Sequence, residues 1–125
     1  MITKQPPDKL FKMEAVTVKK LTSSESKHSE YIELSLYPLA VKKMALKHRD
    51  SVKVKLFGDT LSIAIPSSES REKTLLNLRE SHCGKLLTKS RALFEMGIKP
   101  GTYKFKATRY CSTFKVDWHE FEKVG

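Results

Sequence analysis

Two cysteines, Cys83 and Cys111, are all that the 125 residues contain. That is too few for a disulfide framework, and without a C-x-x-C spacing there is no thiol motif for metal or redox work. Glycine is scarce too, at five, and no Gly-rich loop of the phosphate-cradling kind occurs. Long apolar runs are missing: nothing approaches the roughly 18 residues of a membrane-crossing helix. The opening stretch, MITKQPPDKLFKMEAV, lacks the continuous apolar block of a signal peptide. Cytoplasmic residence without a membrane partner is therefore expected. His28, His48, His82 and His119 are scattered and share no metal-ligand spacing. Nothing places a base beside a nucleophile. No enzyme, metal or cofactor is expected.

Acidic residues are also short, 14 against 24 basic ones, which leaves a net charge of +10. Cut at Pro66, each half holds twelve basic and seven acidic residues, so the excess is not a basic tail on a neutral domain. Such a chain favours polyanion partners, nucleic acid first. A basic surface that serves only solubility is the plainer alternative. With 39% hydrophobic and 30% charged residues the composition is globular.

What the chain does have is period-two alternation, and it has it twice. Lys12–Leu21 reads as a strand and Thr22–Ser29 as a polar loop. Tyr31–Leu36 alternates Ile32, Leu34 and Leu36 against Tyr31, Glu33 and Ser35, a second strand. Pro38 suits a first helical turn, and Leu39, Ala40 and Met44 give a short amphipathic helix ending near Lys47. Val52–Leu56 and Leu61–Ile65 then form a hairpin about Gly58-Asp59, stopped by Pro66. Further on, Lys73–Glu80 reads as strand, with helix as the alternative. Lys85–Thr88 is a short strand. Ser90 is placed to cap a helix over Arg91–Met96, with Gly97 where φ > 0 ends it. Tyr103–Ala107 and Phe114–Trp118 make the last hairpin. The offset between the copies is about 52 residues, in the range of a structural duplication.

The fold class expected is mainly β with two short helices (α+β). Duplicated ββαββ units would form one swapped-hairpin-like β-barrel. A loose arm covers 1–11, the first unit 12–66, a linker 67–72, the second unit 73–118 and a short polar end 119–125. All of it would be one intertwined domain, since a unit of about 60 residues is marginal alone.

With that order in hand, the chain resembles the AbrB/MazE superfamily of swapped-hairpin transcription regulators. In that family the helix runs into an "lgi-k-gd" turn before a hairpin. Leu93-Phe94-Glu95-Met96-Gly97-Ile98-Lys99-Pro100-Gly101 carries this in the second copy, and Met44-Ala45-Leu46-Lys47-His48-Arg49-Asp50 is its counterpart in the first. The family's "g-r-v-v-i-p" run is represented by Glu33-Leu34-Ser35-Leu36-Tyr37-Pro38 without its glycine–arginine pair, and the second copy has no proline there.

The resemblance implies sequence-preferring double-stranded DNA binding and transcriptional regulation, by a monomeric pseudo-dimer or a homodimer. It implies contacts from Lys19, Lys20, Lys27, Lys42 and Lys43 in the first copy and Arg79, Lys85, Lys89 and Arg91 in the second. Two other readings stand beside it: a small basic inhibitor or adaptor for an acidic protein partner, and an RNA- or single-strand-binding protein. Lys53, Lys55, Lys104 and Lys106 fit a phosphate track or, more commonly, the polar face of a sheet. Tyr103, Phe105, Phe114 and Trp118 fit base stacking if exposed, but their register with Val52, Val54, Leu61 and Ile65 places them in the core.

Overall fold

Alternation turns into strands along the chain. β1 (Ala15–Thr22) pairs antiparallel with β2 (Glu30–Leu36). β3 (Ser51–Phe57) and β4 (Thr60–Ala64) form a hairpin in which Gly58 takes φ +60°, a conformation that favours glycine. β5 (Leu76–Asn77), β6 (Arg79–Glu80) and β7 (Leu86–Ser90) follow, and the long β8 (Gly101–Cys111) folds back on β9 (Val116–Lys123). Helix α1 (Pro38–Lys43) follows β2, and α2 (Arg91–Glu95) follows β7. The computed structural model describes residues 9–23, 29–66 and 75–124. Lys27, most of the expected arm and the expected linker over 67–72 lie outside the described residues.

The strands form one antiparallel sheet in the order β5-β3-β4-β9-β8-β1-β2-β7-β6. β5 and β6 stand at opposite ends of that order, yet only Leu78 separates them in the chain. The run Leu76–Glu80 therefore bridges the gap, pairing with β3 at Val52↔Leu76 and with β7 at Glu80↔Leu86. Leu78 N–H donates to the Asp50 carbonyl at 2.9 Å, and its own carbonyl accepts from Arg49 N–H at 2.9 Å. The sheet is in this way nearly closed and barrel-like, which leaves little free edge to aggregate.

Val16, Val18, Ile32, Leu34, Leu36, Val52, Leu61 and Ile63 point inward with Leu78, Leu86, Tyr103 and Phe121. Near α1, Ala40, Met44 and Leu46 join this core; near α2, Leu93 and Ile98 do. Each such side chain contributes about 1.5–3 kcal/mol by leaving water. Pro38 stands at the start of α1, and the Ser90 hydroxyl accepts from Leu93 N–H at 3.2 Å at the start of α2. Gly97 ends α2 with φ +77°, as its placement predicts. No described helix is long and apolar enough to cross a membrane.

Several expectations need correction. Lys9–Lys12 is a 3-10 turn, so β1 starts at Ala15 rather than Lys12. The stretch 119–125, expected as a polar end, continues β9 to Lys123 and supplies Phe121 to the core. Phe114 precedes that strand and is 64% exposed, while Phe105 is only half-buried. The apolar–polar alternation runs past a polar pair, His119-Glu120, which made the strand look finished too early.

Candidate nucleic-acid interface

The basic residues separate into groups once each is traced to its neighbours. In the β1–β2–β7 part of the sheet, Lys19, Glu33 and Lys89 lie directly across from one another. Their inward-facing neighbours Val18, Leu34 and Thr88 are buried, so this rung faces outward. The adjacent outward rung runs Thr17, Ser35, Leu87, Arg79. Lys19, Lys89 and Arg79 thus share one face. None of the three has a carboxylate partner among the described residues.

Lys20 and Arg91 are placed quite differently. Lys20 Nζ is 3.4 Å from a Glu30 carboxylate oxygen and 5.4 Å from the Phe94 ring centre. Arg91 lies 5.2 Å from the same ring, pairs with Glu95 at 3.6 Å and donates to the Glu30 carbonyl at 3.1 Å. Both cations are tied to acids and an aromatic ring, so they pin α2 to the start of β2. Lys85 is occupied too: its ammonium sits 5.2 Å from Tyr37 and 5.9 Å from Phe11, two rings that themselves meet edge to face at 5.1 Å.

Lys42 and Lys43 open onto a groove of about 420 Å³, lined also by Lys12, Met13, Glu14, Leu39 and Lys104. Four ammonium groups face one carboxylate there. Lys43 takes that carboxylate at 3.2 Å and lies 4.3 Å from the Phe105 ring centre. Lys12, Lys42 and Lys104 have no acidic partner among the described residues. Unpaired cations in a concave site reinforce one another's field and attract an anion more strongly than the same charges spread over a convex surface.

Lys12 escaped the sequence reading because it comes from the 3-10 turn before β1, where no periodicity marks it. Lys104 stood out only as an alternating lysine of a strand. The fold brings both to Lys42.

Close by, His119 Nδ1 lies 3.0 Å from the Thr108 hydroxyl. Partial burial lowers its pKa below the ordinary histidine range; Asp117 opposes that shift, and Lys43 adds to it. Among the described residues no group of three or more His, Cys, Asp or Glu side chains is arranged to hold a metal ion. No family model, curated protein or solved structure matches the chain.

Proposed function

We propose that the chain binds double-stranded DNA and acts as a transcriptional regulator, through a single-chain barrel of the AbrB/MazE kind. The observation that carries this reading is the groove where Lys12, Lys42 and Lys104 converge with no acidic partner among the described residues. Lys19, Lys89 and Arg79 add a second set of cations on the outward sheet face. Cations already held by carboxylates gain little from a phosphate, because the new bond only replaces an old one. Among the described residues, Lys12, Lys42 and Lys104 in the groove and Lys19, Lys89 and Arg79 on the face have no such bond to lose.

The strand pairing supports the duplicated arrangement. β1 pairs with β2 and β8, and its counterpart Leu76–Glu80 pairs with β7 and β3. β2 pairs with β7, and β4 with β9. Exchanging the two halves returns the same set of partners, which is the relation a swapped-hairpin dimer has when its subunits are fused.

Titrating a labelled duplex at rising salt tests the reading. Lysine neutralises phosphate and releases counterions, so log K should fall linearly with log salt, by about 0.9 for each phosphate engaged. The triple variant Lys12→Ala, Lys42→Ala, Lys104→Ala should lower that slope by about three. No duplex binding at about 50 mM salt, or an affinity indifferent to salt, sinks the proposal.

A further inference from the structure

The β8–β9 hairpin outruns the barrel. β8 has its last rung with β1 at Ala15↔Lys104, and β9 its last with β4 at Ile63↔His119. From Arg109↔Trp118 to Cys111↔Val116 the two strands pair only with each other. Such a two-stranded ribbon needs stiffening, and it has it. Arg109 Nε meets Glu120 Oε1 at 2.9 Å on one face, and Thr108 bonds His119 on the other.

The ribbon's two faces are unlike. Phe121 points into the core, so Trp118 and Glu120 lie on the opposite face of β9, with Arg109 directly across from Trp118, which is itself buried. Lys53 and Lys55 are on the outward face of β3, opposite Val52 and Val54. Lys55 Nζ lies 4.4 Å from the Trp118 ring centre and Lys53 Nζ 5.9 Å from that of Phe114. Phe114 is 64% exposed, and Lys115 beside it is exposed as well. Tyr110, 63% exposed, lies across from Asp117 on the other face.

We propose that the outward face of this ribbon, with Phe114, Lys55 and Lys115, is a binding site for single-stranded nucleic acid. An unpaired base stacks on Phe114 while the phosphates follow the lysines. The charge pattern selects this occupant. A protein-binding patch gathers apolar residues and thins out charge at its centre. Here cations alternate with an exposed ring, the arrangement that suits a stacked base and its flanking phosphates. Glu120, the acid on this face of the ribbon, is held by Arg109. The inference builds on the nucleic-acid reading above but uses a different surface from the groove.

The test measures the affinity of a labelled oligothymidine, twelve bases long, and of a duplex of the same length for the full chain. Phe114→Ala should weaken oligothymidine binding by at least about five-fold and leave duplex affinity within about two-fold. Tyr110→Ala, which removes an equally exposed ring from the opposite face, should change neither. Trp118 is the chain's only tryptophan, and its emission should shift when phosphates draw Lys55 away. Because Phe114 packs little, its variant should fold, and near-UV circular dichroism checks that. The proposal is overturned if the wild-type chain does not bind oligothymidine, or if Phe114→Ala leaves that affinity unchanged. Parallel loss of duplex and single-strand binding, an equal effect of Tyr110→Ala, or binding that leaves Trp118 emission unmoved would overturn it as well. Failure of duplex binding alone would instead remove the groove reading and leave this one standing.

Discussion

The two ends of the barrel are built from the same parts and finished with opposite electrostatics. At one end α1 follows β2, and Met44 and Leu46 pack into the core; at the other α2 follows β7, with Leu93 and Ile98. Beside α2 three cations have partners, Lys20 with Glu30, Arg91 with Glu95 and Lys99 with Asp59, while Lys89 just before the helix has none among the described residues. Around α1, among the described residues, Lys43 has a carboxylate, Glu14, while Lys12, Lys42 and Lys104 face the groove without one. Packing sets the shared architecture because both ends must keep water out of one core. Charge is free to differ, since exposed ion pairs contribute little to stability, typically about 0–1 kcal/mol. The polyanion site proposed above can therefore occupy one end without loosening the barrel.

If the ends are equivalent in packing, they should respond alike to truncation. Met44→Ala and Leu93→Ala are each expected to lower unfolding free energy by about 2–5 kcal/mol, read from urea denaturation. A large loss at one end only would break the equivalence. Their electrostatic difference is open to a gain of function. Glu95→Lys removes the partner of Arg91 and gives α2 the surplus positive charge that α1 already has. Under the proposed DNA-binding function it should steepen the salt dependence of duplex binding by about one unit of slope. An unchanged slope would confine binding to the α1 side and sharpen the contrast.

The smallest effect concerns how the helices end. Gly97 closes α2 with φ +77°, and Ala45 closes α1 with φ +53°, where a Cβ is strained. Ala45→Gly should stabilise the chain by about 0.5–1 kcal/mol, and Gly97→Ala should cost about 1 kcal/mol. No atom lies within contact of a Cβ built on Gly97, so its cost would be conformational and not steric. Thermal melts of the two variants should move in opposite directions.

Much of the fold is legible residue by residue. Val52, Val54 and Leu56 against Lys53 and Lys55 announce a half-buried strand, and Ser90 and Gly97 mark the two ends of α2. The ambiguous Lys73–Glu80 resolves as strand where it is described, at Leu76–Asn77 and Arg79–Glu80. Its leucine-rich composition suits helix as well as strand, and only the open edges of β3 and β7 decide between them. The candidate site was less legible. Lys42 and Lys43 line the groove, whereas Lys20, Lys85 and Arg91 are engaged by rings and acids. Arg91 and Glu95 are a local i,i+4 pair, but Lys20 reaches Glu30 only because β1 pairs with β2, and Lys85 reaches Phe11 and Tyr37 only across the fold. Phe114 illustrates the same point for burial. It precedes β9 in an exposed turn, while Phe121, in a stretch that reads as polar, is the ring that reaches the core.

The sequence by itself determined which stretches extend, which residues within them turn inward, how α2 is capped and that the surface is strongly basic. These follow from period, propensity and composition, which act over a few residues. Only the tertiary structure decided that Leu76–Glu80 nearly closes the barrel, that Lys12, Lys42 and Lys104 converge on one groove, and that the last hairpin projects. Each of those depends on which distant strand comes to lie alongside, and strand pairing is settled by shared burial across the whole core.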